Sequence, residues 1–285
     1  MTLSERCAAC DSTNAVPFYA GLIRCDSCSH VWADVDLPEA QLHDLYGRQY
    51  FHGDEYTNYT ADRPELEKNF ARRMRVLRRF IDPSRHRRLF EVGCAYGFFL
   101  NAVRGEFDSV GGIDVSEDAV RFAAEQLHLP VLHGDLLARD LGTCAFDVAC
   151  MWDTIEHLKR PDLSVAALGR RMPAGGVLAI TTGDMSSVNA RIRRGRWRLI
   201  HPPTHVHYFT RRSLARMLDR LGFDVVYSEY CGFYRSVGAM IDGVLRLRWG
   251  LDAAARRVLG SGLGRWSVYL NLRDIMFVIA VKRAG

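Results

Sequence analysis

The chain has 285 residues, of which 48% are hydrophobic, 11% aromatic and 25% charged, with a net charge of +5. This composition allows a large buried core and excludes a chain that is disordered as a whole. No stretch reaches the ~18 uninterrupted apolar residues of a membrane span, because the best candidate, residues 236–251, contains charged side chains. The first residues lack the pattern of a signal peptide, so we expect a cytoplasmic protein. The charge excess is too small to indicate nucleic acid as a partner by itself.

Two Cys-x-x-Cys pairs lie near the start of the chain. Cys7 and Cys10 form the first pair, Cys25 and Cys28 form the second, and fourteen residues separate the two pairs. Four thiolates at this spacing can surround one tetrahedral Zn²⁺, which supplies folding energy that so short a segment cannot gain from burial. The alternative, two disulfides, suits exported chains. We therefore predict a zinc ribbon over residues 1–36, with Zn²⁺ in a structural role.

The next part of the chain divides into a connector and a main domain. Residues 37–62 are polar and aromatic, and we expect a helical connector there. The main domain is predicted over residues 63–285. It begins with a helix in which Phe70, Met74 and Leu77 recur at helical spacing. The many arginines of this helix, including Arg73, are predicted to form its solvent-exposed face.

Beyond residue 84, short strands alternate with helices, which is typical of an α/β sheet. The first strand contains Glu91 and ends at Gly93, and the turn passes through Ala95 and Gly97 into a helix. Such a turn places backbone N–H groups around a ligand. The second strand ends in Asp114, about twenty residues later, where an acid can accept both hydroxyls of a ribose.

Two further strands complete the pattern. The third strand leads to Asp135 and Leu136, and the fourth ends in Trp152 and Asp153. The same glycine turn and ribose acid would serve a nicotinamide-dependent dehydrogenase. The Gly175-Gly176 turn before the fifth strand and the residues after Asp114 favour a different ligand.

Taken in order, these motifs resemble those of class I S-adenosylmethionine-dependent methyltransferases, over the chain from about Leu89 to the C-terminus. The resemblance implies an α/β fold with a seven-stranded, mostly parallel Rossmann-like sheet whose last strand is antiparallel. It also implies S-adenosylmethionine as the methyl donor. By position, Asp114 would bind the ribose, Asp135 and Leu136 would frame the adenine, and Trp152 would line the mouth of the methyl-transfer pocket. The residues expected along the methionine moiety are Glu91, Gly93, Ala95 and Gly97. Ala95 stands where the family has its middle glycine.

The acceptor side is predicted to involve an insert over residues 183–210, because loops at the carboxyl ends of parallel strands face the ligand. His205 is the first candidate for a general base, and His157 is the second, since histidine titrates near neutrality. Asp153 could bind acceptor hydroxyls or orient a histidine. The ribbon and this insert together resemble bacterial sugar and nucleotide-sugar methyltransferases, in which a Glu-His pair supports deprotonation. His205 matches that histidine, but Thr204 occupies the place of the acid.

Two basic segments bear on the identity of the acceptor. Five arginines of the insert suggest an anionic acceptor, such as a sugar phosphate, a nucleotide-sugar or a glycan. A predicted helical insert over residues 232–267 is amphipathic and basic, which would allow contact with a membrane surface. The five arginines are Arg191, Arg193, Arg194, Arg196 and Arg198.

Two alternatives differ in function. An RNA methyltransferase would use the ribbon and the arginines to bind RNA, although the modest charge excess disfavours nucleic acid. A non-catalytic adaptor would bind S-adenosylmethionine only for stability.

Overall fold

The computed structural model describes residues 6–35, 59–60, 62–242 and 266–284. The predicted connector lies outside these ranges except at positions 59, 60 and 62. Most of the predicted helical insert, and with it the basic face considered for membrane contact, also lies outside the described residues. Within these ranges, no helix has the length and apolar character needed to cross a bilayer.

The described elements alternate between strands and helices through most of the chain. The strands are β1 (Ala15–Pro17), β2 (Leu22–Cys25), β3 (Val31–Ala33), β4 (Arg88–Val92), β5 (Ser109–Asp114), β6 (Val131–His133), β7 (Val148–Trp152), β8 (Val177–Gly183), β9 (His207–Tyr208), β10 (Phe223–Ser236) and β11 (Ser267–Lys282). The α-helices are α1 (Arg63–Leu77), α2 (Phe98–Val103), α3 (Glu117–Leu127), α4 (Pro161–Arg171), α5 (Val188–Arg193), α6 (Arg211–Arg220) and α7 (Val237–Asp242).

The large sheet contains seven strands in the order β10-β11-β8-β7-β4-β5-β6. Strands β4 to β8 pair in parallel, and β11 runs antiparallel between β8 and β10. This arrangement confirms the predicted seven-stranded, mostly parallel sheet with an antiparallel last strand. Every residue of β7 is buried, as expected for a central strand covered on both faces. The carboxyl ends of β4, β7 and β8 therefore meet at one edge.

The hairpin of β10 and β11 extends beyond residue 232, where the helical insert was predicted to begin. β10 continues to Ser236, and the helical part begins only at Val237. The ladder resumes after a bulge at Gly232, with Tyr234 opposite Tyr269 and their ring centroids 5.2 Å apart. Cross-strand aromatic pairs of this kind stabilise an antiparallel ladder, which explains why the strand is longer than predicted.

The small sheet has the order β1-β2-β3-β9. Its first three strands come from the predicted ribbon, and β9 comes from the predicted insert of the main domain. Val31 pairs with Tyr208 and Trp32 with His207, and the Ala33 amide donates to the Val206 carbonyl at 2.9 Å. The ribbon therefore shares its sheet with the main domain and is not a separate appendage ending at residue 36.

A buried carboxylate anchors the insert to β11. Asp274, 1% exposed, accepts hydrogen bonds from Asn189 Nδ2 at 2.7 Å and Trp197 Nε1 at 3.0 Å. Its other oxygen accepts a bond from the Arg198 guanidinium at 3.0 Å. Three donors around one buried acid hold the insert over the end of the sheet.

We expect Asp274→Asn to lower the free energy of unfolding by about 2–3 kcal/mol, because hydrogen bonds to a charged group each contribute about 1.5–3 kcal/mol. The new amide would also point an N–H group at existing donors. Urea unfolding measures the change. The matched control is Asp224→Asn, which removes an exposed ion pair with Arg283 and should cost no more than about 1 kcal/mol. Equal losses in the two variants would contradict the anchoring role.

Candidate functional site

A cavity opens where β4, β7 and β8 end, and it encloses about 1300 Å³ including its open mouth. Its walls come from α1, the turns after β4 and β7, the insert and the hairpin of β10 and β11. Glu91, Trp152, Asp153, His157 and His205, which the sequence singled out separately, line this one cavity together.

Glu91 lies on β4 with its carboxyl group in the cavity wall. The residue is 2% exposed, and its Oε2 has no hydrogen-bond partner among the described residues. Burial, together with the nearby charge of Asp114, raises the pKa of this carboxyl well above its ordinary value. A cationic group bound in the cavity would supply the missing partner, so Glu91 fits the ammonium group of a methionine moiety.

Asp114 performs a structural task at the end of β5. Its Oδ2 accepts the Ala95 amide at 2.7 Å and its Oδ1 accepts the Ser116 amide at 2.9 Å. Burial raises its pKa, and these hydrogen bonds oppose that rise. The acid thereby fixes the turn after β4, and contact with a ribose remains a prediction for it.

The turn after β4 needs left-handed backbone at three positions. Gly93, Ala95 and Gly97 have φ angles of 74°, 44° and 73°. A Cβ atom on Gly93 would come within 2.5 Å of Thr154 Oγ1, and one on Gly97 within 2.6 Å of Leu129 Cδ1. Ala95 adopts a conformation that favours glycine, which accounts for the glycine expected there in the family.

Asp135 and Leu136 lie apart from this cavity. They follow β6, which is separated from β4 by β5. The exposed carboxylate of Asp135 accepts the Leu137 amide at 2.7 Å, whereas Leu136 is buried. The structure thus places neither residue in the cavity wall, and their contact with an adenine remains a prediction.

Trp152 and Asp153 lie at the end of β7 and face α1. The Arg73 guanidinium lies 5.3 Å from the centre of the Trp152 ring and pairs with Asp153 Oδ2 at 2.5 Å. Thr181 Oγ1 donates to Asp153 Oδ1 at 2.9 Å. The predicted solvent-exposed position of Arg73 is wrong, because its side chain is 11% exposed and lines the cavity. Arg73 and Thr181 hold the Asp153 carboxylate, and the Asp153 backbone bonds to the ring of His157.

Glu156, His157 and His205 form a cluster in the cavity. Glu156 and His157 lie on a 3-10 turn after β7, Ile155–His157, and His205 comes from the insert. The two imidazole ring centroids are 4.6 Å apart. Donor atoms from all three residues lie within 4.8 Å of one another. No role for Glu156 is predicted from the sequence. The one feature that could have indicated such a role is its position directly before His157.

Hydrogen bonds define which nitrogen carries the proton in each ring. His157 Nδ1 lies 2.9 Å from the Thr204 carbonyl, and His205 Nδ1 lies 2.9 Å from the Leu199 carbonyl. A carbonyl oxygen only accepts, so each Nδ1 carries the hydrogen and donates. The lone pair of the neutral His205 ring is therefore on Nε2, whereas the His157 ring also bonds to the Asp153 backbone.

Burial changes the acid–base character of this cluster. It lowers the pKa of His157 to about 4 and that of His205 well below its ordinary value. Burial, reinforced by the charge of Asp153, raises the pKa of Glu156 to about 8. Burial thus disfavours the protonated form of both imidazoles, and their role as general base remains a prediction.

The arginine cluster of the insert is mostly directed elsewhere. Of its five members, all of which are described, Arg198 is the one that lines the cavity. The others are exposed, and Arg191 donates to the Ser186 carbonyl at 2.8 Å. Arg235, from β10, adds a cation to the cavity that the sequence did not predict.

The four ribbon cysteines come together as predicted. Cys7 Sγ and Cys28 Sγ are 3.4 Å apart, and Cys10 Sγ and Cys25 Sγ are 3.6 Å apart. All four sulfur atoms lie within 4.8 Å of one another, and none is in a disulfide. Zn–S bonds of about 2.3 Å in a tetrahedron place sulfurs about 3.8 Å apart. The cluster therefore fits a Zn²⁺ ion.

Comparison with known proteins identifies the family. A family described as a methyltransferase domain matches residues 61–228, more than half of the chain. The protein belongs to this methyltransferase family.

Relatives of this methyltransferase include a ubiquinone biosynthesis O-methyltransferase of Thiobacillus denitrificans, 32% identical over 108 residues, which are 35% of the chain and 46% of the relative. An uncharacterized methyltransferase of Mycobacterium tuberculosis is 25% identical over 39% of the chain and 56% of its own length. The chain thus spans about half the length of the curated relatives it matches.

Solved structures show the same fold at low sequence identity. A magnesium protoporphyrin IX methyltransferase of Synechocystis, bound to S-adenosylhomocysteine, has a TM-score of 0.54 and 12% identity, with 87% of this chain and 100% of that chain covered. A methyltransferase of Archaeoglobus fulgidus has a TM-score of 0.51 and 20% identity, over 84% of this chain and 99% of that chain.

We expect Gly93→Ala to destabilise this methyltransferase by about 1–3 kcal/mol, because the substitution adds left-handed strain of about 1–2 kcal/mol and a contact with Thr154. Urea unfolding measures the change. The control is Gly105→Ala, where a Cβ would meet nothing within 4 Å. A Gly93→Ala variant as stable as this control would contradict the tight packing of the turn.

Proposed function

We propose that the protein transfers a methyl group from S-adenosylmethionine to a hydroxyl of a small-molecule acceptor, with a sugar, nucleotide-sugar or glycan as the leading class. The observation that carries this proposal is that one cavity contains both Glu91 and the cluster of Glu156, His157 and His205. A donor-binding acid and groups that can accept a proton thus face the same space. Family membership supports the transfer chemistry.

The donor side follows from the turn after β4. Glu91 would pair with the ammonium group of the methionine moiety, since its Oε2 is buried and unpaired among the described residues. Asp114 would bind the ribose, and Asp135 and Leu136 would frame the adenine beyond β5. The sulfonium of the donor makes its methyl group electrophilic, so the chain's task is to align it with the acceptor oxygen.

The acceptor side follows from the insert. His205 Nε2 is our first candidate to receive the acceptor's proton, with His157 Nε2 beside it. The low proton affinity that burial gives both rings means that a further group must help to activate the hydroxyl. An oxygen acceptor is supported by the relative named as an O-methyltransferase, whereas a carbon acceptor would need a stronger base than these rings supply.

The charges of the cavity narrow the proposed acceptor. Among the described residues, five acidic side chains and three guanidinium groups line it, and burial raises the pKa of two of the acids, Glu91 and Glu156. Arg198 and Arg235 can bind a phosphate or carboxylate, but the arginine cluster as a whole does not face the cavity. A hydroxyl-rich acceptor with at most a local anionic group fits this balance better than a polyanion such as RNA.

We also propose that Cys7, Cys10, Cys25 and Cys28 hold one structural Zn²⁺. The spacing of the four sulfurs and the burial of Cys7, Cys25 and Cys28 support this site. Because β3 of the ribbon pairs with β9 of the main domain, the ion would stabilise the insert as well as the ribbon.

Glu91→Gln should weaken the binding of S-adenosylmethionine at least about tenfold, because a charge-assisted hydrogen bond contributes about 1.5–3 kcal/mol. Isothermal titration calorimetry measures the affinity. The control is Glu125→Gln on the exposed face of α3, which should bind the donor as the native chain does. Unchanged affinity in Glu91→Gln would remove Glu91 from the donor site.

Cys10→Ser should lose one zinc per chain and lower Tm by about 10 °C or more, since each kcal/mol corresponds to about 2–4 °C in domains of comparable size. Metal analysis by mass spectrometry and thermal unfolding measure both effects. Cys144→Ser, at an exposed cysteine outside the cluster, should keep its zinc and its Tm. Full zinc content in Cys10→Ser would contradict the site.

The acceptor class is tested with labelled S-adenosylmethionine and a panel of nucleotide-sugars, free sugars, glycans and bulk RNA. We expect label in a hydroxyl-bearing small molecule. We also expect the rate of methyl transfer to fall at least tenfold in His205→Gln. Label in RNA alone would replace the proposal with the RNA methyltransferase. Donor binding without any transfer would favour the adaptor.

A further inference from the structure

We propose that Glu156, His157 and His205 bind a divalent first-row cation, such as Mn²⁺ or Zn²⁺, on the wall of the cavity. The cation would in turn bind the acceptor's hydroxyl oxygen, a second step that rests on the proposed function. The binding of the cation itself does not depend on which acceptor the cavity takes.

The three donor atoms already converge. They lie within 4.8 Å of one another, although Glu156 and His157 follow β7 and His205 lies in the insert. A cation with ligand distances of about 2.0–2.2 Å brings its donors to about 3 Å from each other. Rotation of the Glu156 carboxyl and a small movement of the rings would close this gap.

Glu156 provides an independent reason to expect a cation. The residue is 4% exposed, and its Oε2 has no hydrogen-bond partner among the described residues, although Thr182 bonds to the same carboxyl group. A buried carboxyl oxygen left without a partner is destabilising, because it has lost its hydrogen bonds to water and gained none in return. A cation shared with the two imidazoles would satisfy it.

Both imidazoles are oriented as metal ligands are. Their Nδ1–H groups donate to the carbonyls of Thr204 and Leu199, each at 2.9 Å. Metal-binding histidines usually donate their second ring N–H to a carbonyl or carboxylate, which fixes the ring and increases its basicity as a ligand. The lone pair of the neutral His205 ring is thereby on Nε2, and His157 would exchange its bond to the Asp153 backbone for the cation.

The donor set also indicates the class of ion and its role. Two imidazoles and one carboxylate suit first-row divalent cations and leave coordination positions open for water or a substrate oxygen. The four thiolates of the ribbon form a closed structural set instead. A cation in the open site would lower the pKa of a bound hydroxyl, whose proton would pass to water at another open coordination position. The two imidazoles would then serve as metal ligands in place of the general-base role proposed for them above.

Manganese binding to the full chain tests the site directly, without donor or acceptor. Thiolates are poor ligands for Mn²⁺, so the ribbon should keep its zinc when Mn²⁺ is added. Electron paramagnetic resonance of the free Mn²⁺ should therefore report binding at the cavity site. We expect one bound Mn²⁺ per chain, with at least tenfold weaker binding in Glu156→Gln and in His205→Gln. The matched control His128→Asn, at an exposed helix end, should bind as the native chain does.

Urea unfolding of each variant shows whether it is folded. Glu156→Gln keeps the size and shape of the buried side chain, so it still tests the site if His205→Gln does not fold. No Mn²⁺ or Zn²⁺ bound beyond the ribbon zinc, or equal binding in both variants and the control, would overturn the site. Methyl transfer at full rate after chelation, with the ribbon zinc retained, would overturn the role of the cation while leaving the proposed function intact. Metal binding without any methyl transfer would overturn the proposed function while leaving the cation site intact.

Discussion

The pairing of β3 with β9 is the constraint on which the rest of the site depends. Ala33 donates to the Val206 carbonyl, and the Val206 amide donates to the Glu156 carbonyl, both at 2.9 Å. His205 is thus held between the small sheet and the turn after β7. A slip of one residue in this pairing would turn His207 and Tyr208 to opposite faces. The ribbon therefore determines where His205 can lie, although none of its described residues, 6–35, lines the cavity.

A buried pair of histidines also joins the ribbon to the main domain, and burial keeps both rings neutral. His207 Nε2 lies 3.3 Å from the Lys159 carbonyl and therefore donates to it, which leaves Nδ1 to accept from His30 Nε2 at 3.1 Å. Burial lowers the pKa of His207 to about 4 and that of His30 well below its ordinary value. Both rings are neutral, so the ribbon contacts the main domain here without a buried charge.

The features predicted from sequence were those encoded by local spacing. The cysteine pairs and the turn from Gly93 to Gly97 follow from patterns within a few residues of each other. The seven-stranded, mostly parallel sheet was instead implied by the resemblance to methyltransferases. Arg73 and Glu156 could not be found in this way. Arg73 has the spacing of an exposed helix residue, and its contacts with Trp152 and Asp153, which are distant in sequence, help to bury it. β9 has two residues, too few for any periodicity, and it exists because β3 offers it an edge.

The charge of the cavity connects the donor, the cation and the acceptor. Burial raises the pKa of two acids in its wall, Glu91 and Glu156, and so disfavours their charged forms. In the proposed function, the sulfonium donor is positive before transfer and becomes a neutral thioether afterwards. A cationic donor beside Glu91 would favour the charged carboxylate, and burial would strengthen that attraction. A cation at Glu156 would favour the charged form of the second acid in the same way. The two acids would thus serve different partners, with Glu91 facing the cationic donor and Glu156 facing the cation that binds the acceptor.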